Sequence, residues 1–205
     1  MSEAQLSGIL TFLFTDLEGS TPLWERYPDM MQEVSARHDR ILRKAFEAHR
    51  GRVVKTTGDG FHVVFGSPAD GVAAALAGQN AIASADWPEE VGALKVRMGL
   101  HSGESKPRQG DFYGPSLNRA ARVMGIGHGG QVLVSGPTAV LLRGRLPDGA
   151  GLIDLGRHRL KGLAEPEQIY QLGHPSLEAD FPPLQSALST PHNLPEQLTT
   201  FIGRT

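Results

Sequence analysis

Apolar and polar positions divide the first 173 residues into predicted strands and helices. Residues 8–14, GILTFLF, are mostly apolar and have polar neighbours, which is typical of a central strand buried on both faces. A helix is predicted from Asp29 to His49, where apolar residues recur at helical spacing until Gly51. A second, alanine-rich helix is predicted from Ser67 to about Ala85.

A β-hairpin is predicted between these two helices. Residues 52–56 and 61–65 form its strands, and residues 57–60, TGDG, form its turn. The later predicted elements are a strand at 94–101, a helix at 114–124, a strand at 131–134, a short helix at 137–142, and closing strands at Ile153 and 168–170. This order predicts an α/β (α+β) fold with a ferredoxin-like β-α-β-β-α-β core and additional C-terminal elements.

The pattern ends after Gly173. Residues 174–195 contain repeated prolines and no sustained periodicity, which is typical of an extended linker. We therefore predict one folded domain over residues 1–173 and a Pro-rich linker that begins at residue 174.

Composition narrows the classes of function. The 205 residues include 20 Lys and Arg against 22 Asp and Glu, a formal net charge of −2, which argues against a nucleic-acid-binding surface. The sequence has no Cys, so a bound metal must be held by oxygen or imidazole ligands. The N-terminal apolar run is short and lacks a preceding basic stretch. It predicts a buried strand rather than a signal peptide or membrane anchor, and hence a cytoplasmic protein.

Two carboxylates, Asp16 and Asp59, are the first candidates for a chemical site. Asp16 follows the first strand, and Asp59 lies in the hairpin turn. A right-handed crossover makes the first two strands parallel, so the return strand of the hairpin fits between them, antiparallel to the first. This topology places the end of the first strand beside the hairpin turn. We therefore expect both carboxylates at one edge of the sheet.

Neighbouring carboxylates repel each other, and divalent cations such as Mg²⁺ relieve that repulsion. A pair of such ions suits displacement at phosphorus, because both the attacking and the leaving oxygen gain charge. Gly58 and Gly60 flank Asp59 and allow close approach of backbone and substrate. The alternative for Asp59 is ordinary turn chemistry, which commonly uses Asp between glycines.

Five segments together resemble the class III adenylyl and guanylyl cyclases, in order and with similar spacing. They are FTDLEGST, KTTGDGFHVVF, VRMGLHSGE, GDFYGPSLNRAARV and GGQVLVS. The resemblance covers about residues 8–172, and on it the chain is identified as a member of this family. It implies that residues 1–173 are a nucleotidyl cyclase catalytic domain with two Mg²⁺ or Mn²⁺ ions per active site.

The resemblance also assigns ligands for metal and phosphate. Asp16 and Asp59 match the two metal-binding aspartates, and the carbonyl of Leu17 matches a further ligand. Arg97 in VRMG and Lys161 in RLKGL match residues that hold the polyphosphate. The proton acceptor stays open among Asp16, a water molecule and a substrate phosphate.

Lys55 and Asp111 match the pair that reads the purine in ATP-specific members. Adenine presents an acceptor at N1 and a donor at its amine, which a Lys ammonium and an Asp carboxylate complement. Guanine presents the opposite pattern, and each unmatched buried polar group costs roughly 1–3 kcal/mol. The resemblance therefore implies ATP as substrate and GTP as a poor one. The alternative for Lys55 is an ordinary solvated strand residue.

Asn118 and Arg122 match the residue that positions the ribose and the arginine that stabilises the transition state. They are four residues apart, so a helix presents both on one face. Helical arginines are more often solvated surface charges, which is the alternative for Arg122. Lys161 has a similar alternative, because it alternates with Arg157 and Arg159 in a loop-like stretch where any could be exposed.

The resemblance further implies a homodimer with two shared sites, in which no different partner chain is needed. One chain would contribute Asp16, Asp59 and Arg97, and the other Lys55, Asp111, Asn118, Arg122 and Lys161. Residues 193–204, NLPEQLTTFIGR, resemble the entry to a STAND-type or AAA-like ATPase module, which would make the chain the catalytic N-terminal part of a multidomain regulator. The alternative for this segment is a polar tail without a specific role.

Two rival functions stay open. A diguanylate cyclase shares the β-α-β-β core, but such enzymes have a GGDEF or GGEEF sequence in the hairpin, whereas this turn has the sequence TTGDGF. The other rival is a catalytically weak sensor that binds nucleotide and mediates dimerisation within a larger signalling regulator. Such proteins typically lack a metal aspartate or the arginine, and this sequence has both.

Overall fold

The sheet of this protein has seven strands in the order β2-β3-β1-β4-β7-β9-β8. The structure is a computed structural model, and it describes residues 8–105, 107–108 and 111–186. The elements are β1 Gly8–Leu17, α1 Ser20–Arg26, α2 Pro28–Ala48, β2 Arg52–Thr57, β3 Gly60–Phe65, α3 Pro68–Ala83, β4 Val96–Ser105, β5 Pro107–Arg108, β6 Asp111–Phe112, α4 Pro115–Gly125, β7 Val132–Ser135, α5 Gly136–Leu141, β8 Gly151–His158 and β9 Glu167–Gly173.

The first four strands of this sheet have the ferredoxin-like arrangement, which confirms the predicted fold class. Strand β1 lies between β3 and β4 and is antiparallel to both. Strand β7 then joins β4 in parallel, and β9 and β8 complete the sheet in antiparallel pairs. The short hairpin of β5 and β6 was not predicted, because strands of two residues carry no detectable periodicity.

Both faces of β1 are covered, which explains its mostly apolar sequence. Leu13 faces the core formed with α2 and α3, together with Val63 and Phe65 of β3. Phe12 faces the opposite side, where it packs edge-to-face against Phe112 with ring centroids 5.8 Å apart. Because successive strand residues point to opposite faces, one apolar run supplies both cores.

Helix α4 lies directly on β4 at two glycines. A Cβ at Gly99 would lie 2.3 Å from the backbone nitrogen of Met124, and one at Gly103 would lie 2.5 Å from Oγ of Ser116. The Ser116 hydroxyl also donates a hydrogen bond to the Glu104 carbonyl at 3.0 Å. The VRMGLHSGE segment therefore fixes how closely α4 approaches the sheet.

Residues 174–186, which we call the strap, differ from the expected linker. They form no helix or strand, yet they pack against the domain. Leu184 is buried in a core with Ile126, and the Gln185 amide donates to the Ile126 carbonyl at 2.9 Å. The apolar residues between the prolines explain this packing. A linker was predicted because the segment is rich in proline and lacks periodicity. Residues 187–205, including the segment that resembles an ATPase entry, lie outside the described residues.

None of the helices in the described ranges is long and apolar enough to cross a membrane. The longest is α2, with 21 residues, and it carries charged side chains in every turn. Its buried side chains, including Met31, Leu42 and Phe46, belong to the core against the sheet. Helix α2 is therefore an amphipathic helix of the domain.

Candidate active site

Strand pairing brings Asp16 and Asp59 to the same edge of the sheet. Phe14 of β1 lies opposite His62 of β3, and two further residues along this antiparallel register place Asp16 opposite Gly60, next to Asp59. The hydroxyl of Thr15 accepts a hydrogen bond from the Phe61 amide at 3.0 Å, which ties the two strands together at this point. Both aspartates are partly exposed. This is the juxtaposition that the topology argument expects.

The hairpin turn that carries Asp59 needs a glycine on each side. Gly58 has a φ of 59°, which side chains with a Cβ rarely adopt. A Cβ at Gly60 would lie 2.4 Å from the Thr15 carbonyl oxygen. The TGDG sequence therefore serves the approach of the turn to β1 as well as the turn itself.

Arg97 lies opposite Asp16 across the β1–β4 pair and forms an ion pair with it. Its Nε donates to Oδ2 of Asp16 at 3.1 Å, and Nη2 contacts the same oxygen. Both side chains are partly exposed, at 24% for Arg97 and 30% for Asp16. Arg97 was expected to hold polyphosphate, and its contact with Asp16 was not predicted, because the apolar pattern does not specify the register at a strand end.

The donor atoms at this edge suit a hard divalent cation. Two carboxylates, from Asp16 and Asp59, are the ligand type that Mg²⁺ prefers. No group of three or more His, Asp, Glu or Cys side chains that could hold a metal occurs among the described residues. A cation here would therefore take its other ligands from backbone carbonyls such as that of Leu17, from water or from phosphate oxygens.

Lys55 and Asp111 lie on separate elements. Lys55 is exposed on β2, opposite His62 of β3, and the His62 ring lies 3.9 Å from that of Phe14 by centroid distance. Asp111 begins β6 opposite Arg108, and only its backbone is described. Their role as a purine-reading pair therefore stays a prediction.

Helix α4 presents Asn118 exposed and Arg122 partly buried, while Ala120 and Val123 enter the core. Arg119, on the same helix, forms an ion pair with Glu167 at 3.3 Å. Burial raises the pKa of the Glu167 carboxyl above its ordinary value, and the charge of Arg119 opposes that rise. This ion pair links α4 to β9.

Arg122 and Lys161 line the same cavity, which has a volume of about 340 Å³. The loop after β8 rests against the guanidinium, since a Cβ at Gly162 would lie 3.3 Å from Nη2 of Arg122. The other lining residues are Ala121, Gly125, Ile126, Arg159, Gln185 and Ser186. The structure therefore brings together Arg122, which the resemblance assigns to the transition state, and Lys161, which it assigns to the polyphosphate, from distant segments.

The first group, Asp16, Asp59 and Arg97, lies on β1, β4 and the turn between β2 and β3, whereas the second group, Arg122 and Lys161, lies on α4 and in the loop after β8. Among the described residues, no hydrogen bond or ion pair joins a member of one group to a member of the other. The first group combines two carboxylates with one guanidinium, whereas both members of the second group are cations.

His101 lies beneath α4 and belongs to the core. Its Nδ1 is 2.8 Å from Oγ of Ser135, which in turn is 3.0 Å from Oγ1 of Thr138. Burial, with a smaller contribution from the charge of Arg119, lowers the pKa of His101 to about 4. The imidazole is therefore neutral at neutral pH and links β4 to β7.

Comparison with known proteins shows the family. Residues 2–174 match the family model described as "Adenylate and Guanylate cyclase catalytic domain", and the chain belongs to that family.

Individual relatives and solved structures are similar to this chain over most of its length. An uncharacterised protein of Mycobacterium tuberculosis is 41% identical over 201 residues, which cover 97% of this chain and 68% of that protein. The adenylate cyclase of Schizosaccharomyces pombe is 31% identical over 94% of this chain, which corresponds to only 14% of that enzyme. A monomeric adenylate cyclase structure from Trypanosoma brucei superposes with a TM-score of 0.77 at 27% identity and covers 88% of this chain and 95% of that one.

Proposed function

We propose that the chain is an adenylyl cyclase that converts cytoplasmic ATP into 3′,5′-cyclic AMP and pyrophosphate at sites shared between two copies. The observation that carries this proposal is the separation of the two groups in one chain. The sheet edge that carries Asp16 and Asp59, which we call the carboxylate edge, suits divalent cations. The cavity of Arg122 and Lys161, which we call the cationic cavity, suits phosphate oxygens. A two-fold dimer would bring the edge of one chain to the cavity of the other, twice.

In the proposed reaction the ribose 3′-oxygen attacks the α-phosphorus, the bond from that phosphorus to the bridging oxygen breaks, and pyrophosphate leaves. Two Mg²⁺ or Mn²⁺ ions, held by Asp16, Asp59 and the Leu17 carbonyl, would acidify the hydroxyl and neutralise charge on the leaving group. Arg122 would stabilise the charge on the transferring phosphoryl group, and Asn118 would orient the ribose.

The remaining roles concern binding. Lys55 and Asp111 would read the adenine edge, and Lys161 would hold the polyphosphate. Arg97 would exchange its contact with Asp16 for a contact with the polyphosphate when a cation takes the carboxylate, since an arginine and a cation compete for the same oxygen. The hydroxyl proton would pass to Asp16, to water or to a substrate phosphate.

The test is cyclic AMP formation from ATP with Mn²⁺ at high protein concentration, with the product identified by chromatography. Wild type should form cyclic AMP, Asp16→Ala should not, and GTP should react poorly. If wild type and Asp16→Ala were equally inert while binding ATP equally well, the proposal would be abandoned.

A second candidate function is a catalytically weak nucleotide-binding sensor that mediates dimerisation. The ion pair between Arg97 and Asp16 favours it, because one of the two carboxylates already has a cationic partner. In either case residues 193–204 would lead into a regulatory ATPase module, which the family match over residues 2–174 does not include.

A further inference from the structure

The cavity beside Arg122 carries more positive charge than the two expected phosphate ligands supply. It lies between the C-terminal end of α4, the loop after β8 and the strap. Three lining side chains are cationic, Arg122, Arg159 and Lys161, and none of the described residues that line it is acidic. Three like charges around one small volume repel each other unless an anion lies among them.

These three cations differ from some basic residues of the sheet and its loops. Lys95 has an acidic partner in Glu178 at 3.5 Å, and Arg119 has one in Glu167 at 3.3 Å. Within the described ranges no ion pair includes Arg122, Arg159 or Lys161. The charge that these three residues share is therefore available to a ligand.

The other walls of the cavity leave room at the guanidinium. Ala121 and Gly125 lie four residues apart on α4, so small side chains flank Arg122 on one face of the helix. The strap closes the far side, where the Gln185 amide donates to the Ile126 carbonyl at 2.9 Å. The Ser186 hydroxyl is held 2.9 Å from Nδ1 of His158, the residue that precedes Arg159.

We propose that Arg159 is a third phosphate-binding residue of this cavity and that it holds the pyrophosphate part of the nucleotide together with Lys161, beside Arg122. The inference rests on the proposed function, because Arg122 and Lys161 enter as its phosphate ligands. Pyrophosphate carries several negative charges, and a planar guanidinium matches two phosphate oxygens at once. Arg159 adds a second guanidinium to the cavity beside that of Arg122.

The experiment is isothermal titration of the full 205-residue chain with inorganic pyrophosphate in the presence of EDTA. EDTA removes divalent cations, so pyrophosphate cannot bind through a metal ion at Asp16 and Asp59, and the difference between wild type and Arg159→Ala reports on the cavity. Arg159→Ala should weaken pyrophosphate binding on the order of tenfold, as expected for the loss of a charge-assisted hydrogen-bonded contact. Arg159→Lys should weaken it less, because the charge stays while the two-point contact is lost.

Arg157→Ala is the matched control, since it removes the same charge two residues earlier. Arg157 donates to the Pro166 carbonyl at 3.1 Å and does not line the cavity. It should therefore bind pyrophosphate like wild type. Equal weakening in both alanine variants, or no weakening in Arg159→Ala, would overturn the proposal. Thermal unfolding of each variant checks that the fold is intact.

The outcome for Arg159 can be separated from that of the cyclase reaction. If Arg159→Ala loses pyrophosphate binding but wild type forms no cyclic AMP, the cavity stands and the proposed reaction falls. If wild type forms cyclic AMP and Arg159→Ala binds pyrophosphate normally, the reaction stands and the role of Arg159 falls.

Discussion

The carboxylate edge and the cationic cavity are built in different ways. Asp16 and Asp59 meet because two neighbouring strands pair in register and a glycine-flanked turn joins β2 to β3. Arg122 and Lys161 meet because a helix, a loop and the strap pack together without strand pairing between them. The first arrangement depends on backbone hydrogen bonds, and the second depends on side-chain packing.

Because of this difference, the two halves of the site should respond differently to substitutions. A paired strand end keeps its geometry when a neighbouring side chain is shortened, because the ladder of hydrogen bonds remains. A packed loop shifts more readily when an apolar contact beneath it is lost, because no strand ladder fixes its position. The cavity should therefore be the more easily perturbed half.

The largest expected effect is on activity, and it tests whether the two halves come from different chains. Asp59→Ala and Arg122→Ala should each lower kcat by roughly 1,000-fold, since one removes a cation ligand and the other a charge on the transferring group. Equimolar mixing of the two inactive chains should restore about a quarter of wild-type activity, because half of the dimers are mixed and each has one intact site.

Activity that depends on total protein concentration supports the same dimer. Two controls accompany the mixing experiment: each variant alone, and a mixture of Asp59→Ala with Asp16→Ala. The second mixture should stay inactive, because both changes lie on the same half. Recovery there, or none in the first mixture, would contradict sites shared between chains.

Leu184→Ala tests the packing of the cavity and should cost roughly 3 kcal/mol of unfolding free energy, as for other buried leucines. Leu184 is 5% exposed and lies with Val123 and Leu160, the neighbours of Arg122 and Lys161. The variant should also raise the KM for ATP. Leu177→Ala, at the other end of the strap, should lower stability but leave the KM unchanged. Urea unfolding measures the stability and steady-state kinetics measure the KM. An unchanged KM in Leu184→Ala would show that the packing of Leu184 does not affect ATP binding.

Gly99→Ala tests the contact on which α4 depends and should cost roughly 2 kcal/mol of unfolding free energy through overpacking. The new methyl group would meet backbone atoms of Met124, which cannot move aside as a flexible side chain could. Gly125→Ala is the matched control, since a Cβ there meets nothing within 4 Å. Its unfolding midpoint should stay the same or rise. Equal destabilisation of both variants would show that the close approach is not the cause.

The smallest expected effect is a pH dependence from His101. Its folded pKa is about 4, below the ordinary value of 6.5, so the unfolded chain binds the proton more readily. Its contribution is therefore fully present above the unfolded value and is lost as pH falls toward 4. Between pH 6.5 and about 5.5 wild type should lose about 1 kcal/mol more than His101→Gln, which cannot titrate there. Parallel pH profiles for the two proteins would exclude this burial effect.

The sequence predicted the carboxylate edge better than the cavity. A buried apolar strand and a glycine-rich hairpin are local patterns, so the meeting of Asp16 and Asp59 followed from topology alone. The contact of Arg97 with Asp16 depends on cross-strand register, which the pattern of apolar residues does not specify at a strand end. The packing of Leu184 depends on an extended segment without periodicity, where no local signal marks a buried residue.

The two glycines of β4 have one more consequence. Because the backbone of α4 meets the strand at Gly99 and the Ser116 side chain meets it at Gly103, the helix and the strand pack closely and should move together as one block. That block carries Arg97 at one position and Arg122 at another, and in the proposed dimer these residues serve different sites. Nucleotide binding at one site would thereby shift the geometry of the other site. The two active sites of the proposed dimer would then not turn over independently.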